Sequence, residues 1–293
     1  MRLGLMASEG SVEHGETFAE YIAHHLKHLA NRDQGTTMFD FSVVHWDTVF
    51  FSLLCAGVVL LFLRTAARRA TSGIPGKFQS AVEMLVEWVH GEAKTMVHGK
   101  IDYIAPLALT VFCWVTLMNA IDLLPVDWLP LLGREAVGVE HLRPLPTADL
   151  NATLGMAIAV LVLATYYGIK MKGLGGWIHE FAAGHFGAVK PTFNPLTWIA
   201  GLALLIGNLF FGLEGFIAPT ISHGFRLYGN MYAGELIFFL ISGLGGSGTV
   251  VGAILQVLLG TVWALFHILI VLLQAYVFMM LTLVYIGRAH EHH

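Results

Sequence analysis

Long apolar runs separated by short charged stretches dominate the pattern of this chain. After a polar opening, residues 1–45, the first run is about Trp46–Leu63, with Asp47 at its outer edge. The second, about Tyr103–Leu124, stops at Pro125, and the third is about Leu150–Ile169. A helix needs ~20 residues to cross the ~30 Å hydrocarbon core of a bilayer, so these three read as ordinary spans. Pro75–His98 has a different pattern. Phe78, Val82, Leu85, Val89 and Met96 recur at helical spacing while Gln79, Glu83, Glu87 and Lys94 take other faces, which predicts an amphipathic helix in the interface plane.

The last two runs are too long for ordinary spans. Thr249–Gly287 has 39 residues, roughly 58 Å of helix at 1.5 Å per residue. Pro195–Leu244 is longer still. Each is either a broken hairpin or one helix lying steeply tilted in the membrane. Gly243, Gly245, Gly246 and Gly248 mark the hinge between them. Two tilted helices make a wide, shallow wall suited to embracing something else. The fold expected is an all-α integral membrane protein with an outward N-terminus, three ordinary spans, one interfacial amphipathic helix and a C-terminal pair of long tilted helices.

Composition agrees: 56% of the 293 residues are hydrophobic and 12% charged, where a soluble domain carries about 25% charged residues. The net charge of −4 leaves no footprint for nucleic acid. Arg64, Arg68, Arg69, Lys77, Lys94 and Lys100 fall between the first two spans, and by the positive-inside rule that side is cytoplasmic. Residues 1–45 are then an extracytoplasmic segment without an apolar signal core before residue 40, and 46–293 form a single membrane domain, with the interfacial helix at about 75–98 and the tilted pair at about 195–287. The mixed loop holding Asp127, Arg134, Glu135, Glu140, Arg143 and Asp149 lies outside, Lys170 and Lys172 anchor the third span inside, and the C-terminus is cytoplasmic. Cys55 and Cys113 sit within apolar spans and read as inert small hydrophobes.

Between Pro191 and Gly287 there is one basic charge, Arg226, and there are two acids, Glu214 and Glu235. A guanidinium in a membrane segment costs at least ~2.5–3.5 kcal/mol on insertion scales, so it needs a partner or an occupation. It cannot release its proton, but it can hold a field, keep a carboxylate ionised and block cations. A structural bridge within the chain is one reading. Helical geometry weakens it: Glu235, nine residues on, is about 180° round, and Glu214, twelve residues back beyond Pro219, is about 120° away. Arg226 is therefore expected to meet a carboxylate of another chain. Asn230 shares its face at i, i+4.

On the last run Gln256, His267 and Gln274 fall within about 20° of one another, and Tyr285 extends the line. This stripe is either a hydrogen-bonded seam between helices, the reading preferred for Gln256, or, at His267 and Gln274, a hydrated proton path. Asn119 and Asp122 mark the outer end of the second span. Asp149, Asn151 and Thr153 mark the outer start of the third, where Asp149 fits a helix cap. His179-Glu180 with His185 lacks metalloprotease spacing, and Gly184–Lys190 lacks that of a phosphate loop. The His24/His28 pair and His290, His292 and His293 could bind metal but read as solvated surface histidines. No metal site and no cofactor is expected.

Arg226-Leu-Tyr-Gly-Asn-Met-Tyr-Ala-Gly-Glu-Leu-Ile resembles the signature of the a-subunit family of the F-type ATP synthase. So do Thr71-Ser-Gly-Ile-Pro-Gly-Lys-Phe, Ile104-Ala-Pro-Leu-Ala-Leu-Thr, Met118-Asn-Ala-Ile-Asp-Leu-Leu-Pro and Phe266-His-Ile-Leu-Ile. The match, of proteobacterial type, covers nearly the whole chain from about Met6, which makes residues 1–5 an expected upstream extension. The resemblance implies a non-catalytic, proton-translocating stator subunit of the bacterial inner membrane, with two half-channels beside a rotating c-ring, with c-ring and b subunits and lipid as partners, and with no nucleotide bound. It makes Arg226 the essential arginine facing the ring. It implies a proton path through Asp122, Asn230, Glu235, His267 and Gln274, with Glu214 the candidate inner-channel acid; here the Pro219–Arg226 interval runs one residue longer than the family pattern. The rival from another class is a self-contained secondary transporter that holds an anionic substrate on Arg226, but the internal repeats expected of one are not visible.

Overall fold

A computed structural model describes residues 18–32, 42–97, 103–125, 128–138, 142–183, 186–187, 195–246 and 248–290. The expectations for residues 1–5, Asp127, Glu140, the Gly184–Lys190 loop with His185, His292 and His293 lie outside the described residues, as do those for the side chains of His24, Glu180 and His290. The described secondary structure is helical: α1 Phe18–His25, α2 Trp46–Arg69, α3 Lys77–Met96, α4 Ile104–Ala120 closed by a 3₁₀ turn at Ile121–Leu123, α5 Trp128–Val137, α6 Leu150–Ala183, α7 Pro195–Gly245 and α8 Val250–His290. Five of these, at Trp46–Arg69, Ile104–Leu123, Leu150–His179, Trp198–Gly245 and Val250–Ala289, are long and apolar enough to cross a membrane.

Several boundaries differ from the sequence reading, each for a local reason. The first span continues past Leu63 to Arg69, because long arginine side chains can end an apolar helix without breaking it. The loop between α4 and α6 contains a helix, α5, whose apolar residues Trp128, Leu129, Leu131 and Leu132 precede Gly138, which ends it at φ 71° with its N–H on the Arg134 carbonyl. The third span does not stop at Ile169. Helix continues to Ala183 through a break at Gly173 (φ 71°, ψ 160°), a conformation that favours glycine. α7 and α8 are continuous helices of 51 and 41 residues, roughly 76 and 62 Å at 1.5 Å per residue; neither is a broken hairpin. Between them Gly248 turns at φ 67°, and the Thr249 hydroxyl caps α8 by accepting the Gly252 N–H at 3.0 Å.

The chain forms two compact units. One takes residues 66–112, 153–227 and 276–293. Its core joins Val89, Ala93 and Val97 to Ile104, Ala105 and Ala108 of α4 and to Met279, Leu283 and Ile286 of α8. The i, i+4 spacing from Leu85 to Val97 thus faces protein, and Trp88 stacks on Tyr276 at 5.7 Å while Phe78 stays exposed. The other takes residues up to 65 with 113–152 and 228–275. In it the N-terminal segment is tied back to the start of α2: Trp46 N–H donates to the Leu29 carbonyl at 2.8 Å. Asn31 clamps the far side, its amide donating to the Ser42 carbonyl at 2.8 Å and accepting from Val44 N–H at 2.9 Å. The two cysteines are free thiols.

Gly287 is where α8 passes α3 most closely: an added Cβ would stand 2.6 Å from the Met96 carbonyl oxygen. Gly287→Val should strain this packing by about 1–3 kcal/mol and lower the amount of chain retained in heated membranes. Gly57, with nothing within 4 Å of an added Cβ, should accept alanine without change. Equal retention of both variants would contradict the packing described.

Candidate functional site

Four charged or titratable groups meet deep in the unit that holds the N-terminal segment. Arg143 precedes the 3₁₀ turn at Pro146–Ala148, which the chain enters through Leu145, extended as a residue before proline tends to be. Its side chain is 4% exposed, and Glu235 of α7 is 6% exposed. The guanidinium takes the carboxylate in a fork, with Nε donating to Oε1 at 3.2 Å and the second terminal nitrogen donating to Oε2. The remaining terminal nitrogen donates to His28 Nε2 at 2.9 Å, and the group lies 5.5 Å from the centroid of the Tyr232 ring. Each of the three guanidinium nitrogens therefore has a partner. It is the residue that reading the sequence missed: no local pattern separates it from Arg134, which is exposed.

His28 belongs to the same network, a correction to its reading as a solvated histidine. Its Nδ1 is 3.3 Å from Asp47 Oδ2, and its ring stacks on His45 with centroids 4.3 Å apart. Asp47, 1% exposed, accepts backbone N–H bonds from Leu29 at 3.0 Å, Thr48 at 2.8 Å and Arg143 at 3.3 Å, so its burial is compensated. Asp149 caps α6 as expected, with Oδ1 accepting the Asn151 N–H at 2.9 Å. Its other oxygen takes the Thr48 hydroxyl at 2.9 Å and His45 Nδ1 at 2.7 Å, so it does more than cap.

Asp122, on the 3₁₀ turn that ends α4, meets His267 of α8. Oδ2 and Nε2 are 2.7 Å apart, although the approach is not aligned as a hydrogen bond. His267 is fully buried between the rings of Phe238 and Trp263. Gly234 makes room for it, since a Cβ there would run into the imidazole. Asp122, Arg143 and Glu235 share a cavity of about 30 Å³ with His25 and Phe239, large enough for a water. Gln274, 8% exposed, lies on the inner face of α8. Gln256, on the same stripe, fills the space beside Gly245.

Arg226 differs in every respect. It is exposed on α7, and its guanidinium makes no ion pair with any described residue. Glu214 is exposed as well, and Asn230 is half-buried. A cavity of about 310 Å³ in the unit that holds Arg226 is lined by Gly215, Phe216, Thr220, Lys172, Tyr285 and Arg288, among others. Only 6% of the most apolar stretch of α7 is buried within the chain, against 39% for α8, so α7 is the span most in need of a covering partner.

Comparison with known proteins places the chain among named relatives. The family model described as ATP synthase A chain matches residues 49–287. A protein of Acidovorax sp. (strain JS42) named ATP synthase subunit a is 51% identical over 291 residues, covering 96% of this chain and 98% of its own. One of the same name from Paracidovorax citrulli (strain AAC00-1) is 48% identical, covering 98% of this chain and 100% of its own. Another, from Mannheimia succiniciproducens, is 47% identical, covering 94% and 98%.

Arg143→Met alone leaves Glu235 buried without its cation, a loss of about 3–5 kcal/mol, and should sharply reduce the chain level in membranes. Combining it with Glu235→Met removes both charges and should recover most of that level. A double variant as poorly retained as the single one would show that the pair is not what holds this region.

Proposed function

This chain belongs to the ATP synthase A chain family, and from that premise we propose that it is the proton-translocating stator subunit of an F-type ATP synthase, multi-pass in a bacterial inner membrane. The N-terminus lies on the periplasmic side, by the arginine and lysine count of the loop between α2 and α4, and five crossings bring the C-terminus to the cytoplasm. α7 and α8, each longer than the bilayer is thick, lie tilted and offer their uncovered apolar faces to a c-ring, while b subunits and lipid cover other surfaces. The secondary-transporter reading has no support from the family match.

The observation that carries this reading is the exposed Arg226 without a described acid partner. An unpaired guanidinium facing hydrocarbon is too costly to persist, whereas one facing the carboxylates of a passing ring has an occupation. Protons enter from the periplasm past Asp122 and His267, with Glu235, Asn230 and Gln274 completing the outer path. Imidazole can accept on one nitrogen and give from the other, and a carboxylate at 2.7 Å is within reach of that exchange. The proton neutralises a ring carboxylate, which can then travel through lipid. Near the inner path, for which the cavity alongside the Glu214 turn is the candidate, the field of Arg226 favours the ionised form and releases the proton inward. Because Arg226 keeps its own proton, it also blocks a short circuit between the half-channels. The chain itself makes no covalent bond; nucleotide chemistry belongs to other subunits. In this scheme the Arg143 fork holds the Glu235 carboxyl in place beside the Asp122–His267 pair.

Arg226→Ala should abolish ATP-driven proton pumping in inverted membrane vesicles while the complex still assembles. Arg226→Lys should not restore coupling, because a desolvated ammonium can lose its proton. Wild-type pumping in Arg226→Ala would sink the proposal. Gly234→Ala, which pushes the His267 ring away from its site, should slow pumping and passive proton uptake together; normal rates would remove His267 from the path.

A further inference from the structure

The two stacked histidines stand outside the proton path proposed above, and their arrangement suggests a separate use. His28, His45 and Asp149 each offer one ligand atom, and all three atoms lie within 4.8 Å of one another. The residues come from three places in the chain: the segment after α1, the residue before α2 and the cap of α6. His45 Nδ1 is 2.7 Å from Asp149 Oδ2, and His28 Nδ1 is 3.3 Å from Asp47 Oδ2. Ligands held at ~2.0–2.1 Å around a tetrahedral cation are separated from each other by roughly 3.3 Å, which lies between the 2.7 Å His45–Asp149 contact and the 4.8 Å bound on the three atoms. The side chains are 15% and 13% exposed at His28 and His45, and 4% at Asp149, so the cluster is accessible from one side and walled on the others.

We propose that His28, His45 and Asp149 form a binding site for a divalent transition-metal cation of the zinc class, with water completing the coordination. Imidazole and carboxylate donors in this number suit zinc or cobalt and do not suit magnesium, which prefers oxygen ligands and retains its waters. Local charge favours it as well. Asp47, Asp149 and Glu235 set three carboxylates against the single guanidinium of Arg143, an excess of two negative charges. Binding requires the two stacked rings to tilt toward a common point, since a metal lies in the plane of its imidazole. It also has a consequence for Arg143. Ligation through His28 Nδ1 leaves the ring proton on Nε2, which faces the Arg143 nitrogen now donating to that atom. Metal occupancy and the His28–Arg143 hydrogen bond therefore exclude each other, and the cation loosens one of the contacts that steady the Arg143–Glu235 fork.

The test uses the intact complex in detergent, stripped with a chelator and reloaded with zinc or cobalt alone. The variants are His45→Ala and Asp149→Asn; asparagine keeps the α6 cap, so the second variant preserves the fold. The wild type should hold about one equivalent more zinc than either variant and bind it at least about tenfold more tightly. Loaded with cobalt, it should show the intense visible absorption of a tetrahedral nitrogen–oxygen site, which both variants lose. Equal zinc content with superimposable cobalt spectra would overturn the proposal. Since metal content and absorption are measured without transport, the result stands apart from whether the proton path is assigned correctly.

Discussion

Glu235 can be buried at 6% exposure only because a cation comes to meet it, and Arg143 does so with a two-point grip. Much of the surrounding architecture is organised around that contact. The backbone of Arg143 is held by Asp47, whose carboxylate also fixes Leu29 and the first turn of α2. The other terminal nitrogen is met by His28, which brings the N-terminal segment into the interior. Charge buried in low dielectric must be answered group by group. The answers here come from distant stretches of chain, so they bind those stretches together.

The two arginines show opposite solutions to one cost. Arg143 lies among three hydrogen-bonding partners, so its charge is spent locally. Arg226 has no ion-pair partner among the described residues. A single helix, α7, bears both Arg226 and the carboxylate that occupies Arg143, nine positions apart. That spacing points the two residues in opposite directions, and the burial pattern follows it: exposed at Arg226, buried at Glu235.

What could be read from the sequence was whatever depends on local pattern. The runs beginning at Trp46, Leu150 and Pro195 start where hydropathy placed them, because a span is a property of consecutive residues. Asp149 was recognisable as a cap, and Arg226 as an arginine without a suitable acid, from spacing alone. The interior of the outer site was not accessible in that way. Arg143 and Glu235 are 92 residues apart, and His45 and Asp149 are 104 apart. Nothing in the immediate neighbourhood of His28 or Arg143 says that either is buried. Helix α5 was hidden for a different reason: a ten-residue segment is below the length at which apolar periodicity stands out from a mixed loop.

The Asn31 clamp fixes the backbone just ahead of the buried network. Asn31 holds Ser42 and Val44 through both its amide atoms, one donating and one accepting. His45 and Asp47 follow Val44 directly in the chain, so the aim of two inward-facing side chains depends on an exposed amide. A group that carries no charge and lies at the surface thus has a say in how the charges behind it are arranged.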